Sequence, residues 1–170
     1  MMIDKKGVRT GVTMIIVNHR KHVLWAKRIG QNAWQFPQGG LLPGEEPIDA
    51  MYRELQEEVG LKPSDVKVLG CSKEWLRYQL PRQMIRYYSK PVCVGQRQKW
   101  FLLELIAEES AIRFDFTDSP AFDHYRWVKY WYPLRRVIAF KRRTYRHALQ
   151  EFAPLLFSRN SMQLVEIDES

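Results

Sequence analysis

The chain has 170 residues, 45% apolar and 27% charged, which excludes wholesale disorder and supplies enough core to fold without disulfides. Lys and Arg number 27 against 19 Asp and Glu, leaving a formal charge of +8 that favours a polyanionic partner without naming one. The apolar run Val12 to Val17 is too short for a signal-peptide core or a membrane span, so the expected location is the cytoplasm.

Val12 to Asn18 and His22 to Ala26 are β-favouring runs around a polar His19-Arg20-Lys21 turn, and they predict a hairpin. Trp34 to Phe36 starts another extended piece, stopped by Pro37 and the Gly39-Gly40 pair. From Pro47 to Val59 the pattern becomes helical, with Pro47 suited to the first turn and Gly60 to the left-handed residue that ends a helix. Val66 to Cys71, Val92 to Val94, Lys99 to Ala107 and His124 to Lys129 are further strand candidates. Ser72 to Arg97 forms a long, basic, aromatic-rich connection of the kind that carries binding surface. A second helix is predicted over Thr144 to Leu156, with Tyr145, Leu149, Phe152 and Leu156 near one face, followed by a loose polar tail. This divides the chain into a domain over 1–157 and a tail over 158–170. Cys71 and Cys93 lack partners in disulfide or metal spacing and are expected to be buried thiols. The four histidines lack zinc-site spacing.

The chemistry is concentrated in Gly39 to Leu61, which reads GGLLPGEEPIDAMYRELQEEVGL. At about 100° per residue, Glu54, Glu57 and Glu58 fall near 0°, 300° and 40°, beside a stripe of Ile48, Met51, Leu55 and Val59. Taken alone, such an acidic triplet is most simply a solvated helix face. Its carboxylates repel one another, however, and a hard divalent cation with oxygen ligands would offset that repulsion. Such a cation would orient a polyphosphate and activate a water for attack on phosphorus. The Gly-rich turn would let backbone approach phosphates, and Arg53 could fix Glu45 by a bidentate pair.

The spacing Gly39, Glu45, Arg53-Glu54-Leu55, Glu57-Glu58, Gly60-Leu61 resembles the signature of the Nudix hydrolases. The resemblance extends to Trp34-Gln35-Phe36-Pro37-Gln38-Gly39-Gly40, to the run from Lys90 to Leu103, and to Arg126-Trp127-Val128-Lys129-Tyr130-Trp131-Tyr132-Pro133. Together these look like the bacterial RNA pyrophosphohydrolase branch and cover roughly Ile3 to Leu156. The resemblance implies an α/β fold, an α/β/α sandwich with a mixed sheet carrying a catalytic loop-helix-loop. It implies removal of pyrophosphate from 5′-triphosphorylated RNA, or action on a 5′-diphosphate end, with hydrolysis of dinucleoside polyphosphates as the alternative. By position, Glu54, Glu57 and Glu58 would hold Mg²⁺, or Mn²⁺ or another divalent cation in its place, with Arg53 and Glu45 completing the catalytic set. Arg9, Arg28, Gly39, Gly40, Tyr78 and Gln96 match phosphate or nucleotide contacts, and Ile138, Phe140 and Lys141 match a base-contacting surface. Apart from any family, Phe140-Lys141-Arg142-Arg143 combines a stacking ring with cations, which suits a single-stranded end.

Two departures stand out. The family shows Pro-Glu-Phe-Asp where this chain has Pro120-Ala121-Phe122-Asp123, so a metal-reaching Glu is missing and water or Asp123 would have to fill its place. Arg9-Thr10-Gly11 also replaces a more usual Arg, small or Pro, Asn. The Ala121 departure motivates a further reading from another class, a Nudix-fold RNA-binding module with impaired catalysis.

Overall fold

The computed structural model describes residues 2–157, so the expected tail over 158–170 lies outside the described residues. One mixed sheet of eight strands carries the architecture. The strands are β1 (Val8–Val17), β2 (Val23–Arg28), β3 (Trp34–Gln35), β4 (Gln38–Gly40), β5 (Val66–Cys71), β6 (Leu76–Gln79), β7 (Gly95–Leu105) and β8 (Phe122–Val128). The main path runs β3-β2-β1-β7-β5, while β4 pairs with β1, β6 with β7 and β8 with β2. β1 and β7 are parallel in register from Val8↔Gly95 to Val17↔Glu104, and the other pairings are antiparallel.

Helix α1 (Pro47–Val59) covers one face and α3 (Arg142–Leu156) the other, with the short α2 (Tyr132–Arg136) beside α3. Strand alternation explains the two cores. Val12, Met14 and Ile16 of β1 pack with Met51, Leu55 and Val59 of α1, whereas Ile15 and Val17 pack with Tyr145, Leu149 and Phe152 of α3. This is the expected α/β/α sandwich.

The α3-side core positions the segment that leads to β4 and α1. Phe36 is fully buried among Trp25, Trp100 and Tyr145, stacked on Tyr145 at a centroid separation of 4.9 Å. Its backbone N–H donates to the Tyr145 hydroxyl at 3.1 Å. A buried ring and a buried hydrogen bond thus pin the segment that leads into β4.

Several sequence-based expectations need correction. Val92–Val94 is not a strand, because the ladder with β1 begins at Gly95, although Val94 donates to the Gly7 carbonyl and accepts from the Leu80 N–H. The Ser72 to Arg97 connection contains β6, which pairs with β7. β1 starts at Val8 rather than Val12, because its parallel partner satisfies those four extra residues. Ile48, expected in the apolar stripe of α1, is exposed on the first turn, and Ala50 takes its place in the core. Cys71 is exposed at the end of β5 and Cys93 is only partly covered, so neither is a core thiol.

Candidate active site

Helix α1 spans the predicted residues, with Pro47 in its first turn and Gly60 as a left-handed C-cap at φ 74° whose N–H returns to the Gln56 carbonyl. The buried stripe faces the sheet and turns the acidic flank toward β4. Arg53 organises that flank. Its Nε and Nη2 donate to Glu45 at 3.0 and 2.8 Å, a bidentate pair, and Nη2 also reaches the Gly40 carbonyl at 2.7 Å. Nη1 donates to Glu54 at 2.7 Å and, more weakly, to Glu57 at 3.4 Å. One guanidinium therefore ties the loop carboxylate, the glycine turn and two helix carboxylates together.

Close approach explains two glycines. A Cβ on Gly39 would overlap the Glu54 carboxylate, and one on Gly11 would overlap the Gly39 carbonyl. The Gly11 departure thus lets β4 lie tightly against β1, and the absent side chain at Gly39 makes room for the Glu54 carboxylate.

Glu54 and Glu58 are held above the usual carboxylate range, first by burial, with Glu57 adding to both and Glu54 to Glu58. The Gln38 backbone N–H and the Arg28 charge pull Glu58 only partly back. Glu57 is 41% exposed on its side chain and leans on Arg53. The three helix carboxylates are therefore drawn to different partners. Among the described residues, no three Asp, Glu, His or Cys groups converge closely enough to hold a metal ion. The reason is local: Arg53 draws Glu54 and Glu57 to itself, whereas Glu58 is anchored to Gln38. The donor set still suits a hard divalent cation, since it is all oxygen and carries negative charge withdrawn from water. Asp123 does not join it. That carboxylate is paired with Lys27 at 3.2 Å, so the replacement offered for the missing Glu is engaged elsewhere, and Ala121 contributes its carbonyl to Ile29.

On the α3 side of the sheet, β1, β7 and β6 bring Arg9, Gln96 and Tyr78 together through the pairs Arg9↔Gln96 and Tyr78↔Gln96. The Arg9 Nε is buried without a hydrogen-bond partner, and its charge acts on both Glu54 and Tyr78. An orphaned buried donor of this kind is costly unless an acceptor arrives. Behind it runs a relay that sequence reasoning missed. The Thr13 hydroxyl donates to Gln98 at 2.8 Å, and Gln98 donates to Gln96 at 2.9 Å and to Gln38 at 3.1 Å. Gln38 in turn hydrogen-bonds Tyr78. The signal was available, because alternation along β7 places Gln98 on the inward face with Trp100 and Leu102.

Lys141 is buried beneath this site, 3.5 Å from Gln35 and over the Tyr78 ring at 5.6 Å. Burial, then the neighbouring Arg28, pull its ammonium down to about 8, while Glu58 works in the opposite direction. Tyr78 is the floor of the site rather than an open contact, buried under Phe140 at 5.4 Å. Arg28, Phe140, Lys141 and the exposed Ile138 line one groove of about 690 Å³. Arg28 and Lys141 thus belong both to that groove and to the electrostatic surroundings of Glu58.

A glycine-turned loop and helix with an arginine-tied acidic flank, set in a mixed sandwich, define a hydrolase of phosphate anhydrides. A NUDIX domain model matches residues 7–152, and the chain belongs to the Nudix family. It is a Nudix hydrolase. RNA pyrophosphohydrolases of Pseudomonas syringae pv. tomato and Pseudomonas putida are 57% and 55% identical over 159 residues, covering 94% of this chain and 100% of theirs. Among solved structures, the E. coli dihydroneopterin triphosphate pyrophosphohydrolase superposes with a TM-score of 0.68 at 19% identity, covering 85% of this chain and 96% of its own. A C. elegans Ap4A hydrolase follows at 0.62 and 17%, covering 86% and 99%. These structural likenesses concern the fold alone.

Proposed function

We propose that this enzyme removes pyrophosphate from the 5′-triphosphate of RNA and leaves a 5′-monophosphate. The observation that carries this reading is the continuity of charge. Arg28 and Lys141 face Glu58 on one side and line a groove containing Ile138 and Phe140 on the other. A polyphosphate could lie along the carboxylates while the attached nucleotides extend past Phe140. The relatives named RNA pyrophosphohydrolases support the same substrate. Residues 1–157 form the proposed hydrolase domain, with 158–170 appended, acting in the cytoplasm. No helix among the described residues is long and apolar enough to cross a membrane.

In this mechanism Arg9 and Arg28 bind phosphate oxygens, the orphaned Arg9 Nε gaining an acceptor. Glu54, Glu57 and Glu58 would hold Mg²⁺, which when bound neutralises and orients the polyphosphate, and Mn²⁺ could substitute. One carboxylate oxygen of the helix glutamates, assigned here to Glu58, would take the proton of the attacking water. The water oxygen bonds to phosphorus, the bond to the bridging oxygen breaks, and that oxygen leaves with pyrophosphate. Arg53 keeps Glu45 and Glu54 in place throughout and touches no reacting atom.

Assay of end-labelled 5′-triphosphorylated RNA with and without Mg²⁺, beside free diadenosine tetraphosphate, checks the reading. Mg²⁺-dependent pyrophosphate release from RNA, faster than dinucleotide cleavage, is expected. Preferential dinucleotide cleavage would assign the alternative activity, and tight RNA binding without product would make the chain a binding module. Ala121→Glu is expected to raise turnover by about 10- to 100-fold, the scale on which groups supporting a metal site act. No gain in measured pyrophosphate release would show that the carboxylate is not needed there.

A further inference from the structure

The groove continues beyond Phe140. Its far arm is built from Trp34 on β3, Arg126 on β8, and Tyr132 and Arg136 on α2, none of which the proposed reaction uses. The Arg126 guanidinium lies 4.9 Å from the Trp34 ring centre and 5.7 Å from that of Tyr132, and it donates to the Tyr132 hydroxyl at 3.0 Å. Arg136 covers the same Tyr132 ring at 5.2 Å. Two rings and two guanidinium groups therefore alternate along one wall, and both arginines are exposed. The loop after β6 also lines the groove, through Met84 and Arg86.

No Asp or Glu lines this groove among the described residues. The arginines sit against aromatic rings, and the described groove lining holds no carboxylate to neutralise their charges. A guanidinium already positioned on a ring loses little freedom when it takes a further partner. The matching ligand alternates planar faces with negative charges at short intervals, as a single-stranded nucleic acid does. The arm also joins the inner groove, where Arg28 and Lys141 meet the acidic flank of α1.

We infer that this far arm is a subsite for the single-stranded RNA that follows the 5′ end, with Arg126 and Arg136 taking backbone phosphates and the Trp34 and Tyr132 wall taking a base. The inference rests on the RNA reading above and deepens it. A decisive experiment compares a 5′-triphosphorylated dinucleotide with a longer single-stranded oligomer across a salt series.

Wild-type enzyme should show a lower KM for the oligomer. The double variant Arg126→Ala, Arg136→Ala should raise the oligomer KM by about tenfold near physiological salt and flatten its log-log salt dependence by about 1.4, the share of two phosphate contacts on a single strand. Dinucleotide kcat and KM should stay unchanged. The pair Arg126→Lys, Arg136→Lys should keep the salt slope and lose part of the affinity, since it retains charge without the planar stack. Equal wild-type KM for both substrates, or equal loss on both in the alanine variant, overturns the subsite while the activity stands. Absence of hydrolysis of either RNA by wild-type enzyme overturns the activity reading and the subsite with it.

Discussion

Replacing Arg53 with alanine is expected to destabilise the protein by about 3 kcal/mol, at the lower end of what is lost when one partner leaves a buried ion pair. The lower end applies because the Arg53 side chain is 25% exposed. The substitution strands Glu45 and Glu54, only 15% and 13% exposed, and removes the donor to the Gly40 carbonyl. For a chain of this length that loss corresponds to a fall in Tm of roughly 6–12 °C, measurable by thermal unfolding in a chelator. Turnover should fall as well, because Glu45 and Glu54 lose the group that orients them. Arg53→Lys should recover little of either quantity, since an ammonium cannot reproduce the bidentate contact to Glu45 at 3.0 and 2.8 Å. A lysine variant with wild-type Tm and turnover would mean that only the charge matters.

Glu58→Gln is expected to lower turnover by about 10²–10⁴-fold, the scale of a lost general base, while making the metal-free protein more stable at neutral pH. The sign follows from burial. Glu58 is held well above the ordinary carboxylate range by desolvation and then by Glu54, so the folded state binds its proton more tightly than the unfolded chain. The stability this supplies is fully present below the unfolded value of about 4.3 and is lost as pH rises through the folded value. Wild-type Tm in a chelator should therefore decline as pH rises above that point, less steeply in the variant, and the two should converge in acid. Identical Tm profiles would remove the argument that this carboxylate is kept under electrostatic strain for its reaction. A more stable but inactive variant is the signature of a site where function opposes stability.

Much of the site was legible because it lies on one continuous stretch. The interval from Pro47 to Val59 carries its helix period, its starting proline and its terminating glycine within itself, and α1 has those bounds. The pairing of Arg53 with Glu45 was likewise readable, since both sit within one loop and the helix that follows. The strand ends were less so. Whether Val8 to Gly11 or Val92 to Val94 joins a ladder depends on a partner far away in the chain: β7 pairs with the first from Gly95 onward, while the β1 ladder begins only after the second.

The amino-acid order determined helix α1, the layer pattern and the family, because hydrophobic period, caps and the spacing of Gly39, Glu45, Arg53 and the three glutamates are local properties. Tertiary packing decided which carboxylates are free and which are engaged. It gave Glu57 to Arg53, Glu58 to the Gln38 backbone and Asp123 to Lys27. It also joined Arg9, Gln38 and Lys141, from three distant segments, around Tyr78. Those outcomes depend on distance and burial between side chains far apart in sequence, which set electrostatic energies and appear only when the sheet is assembled.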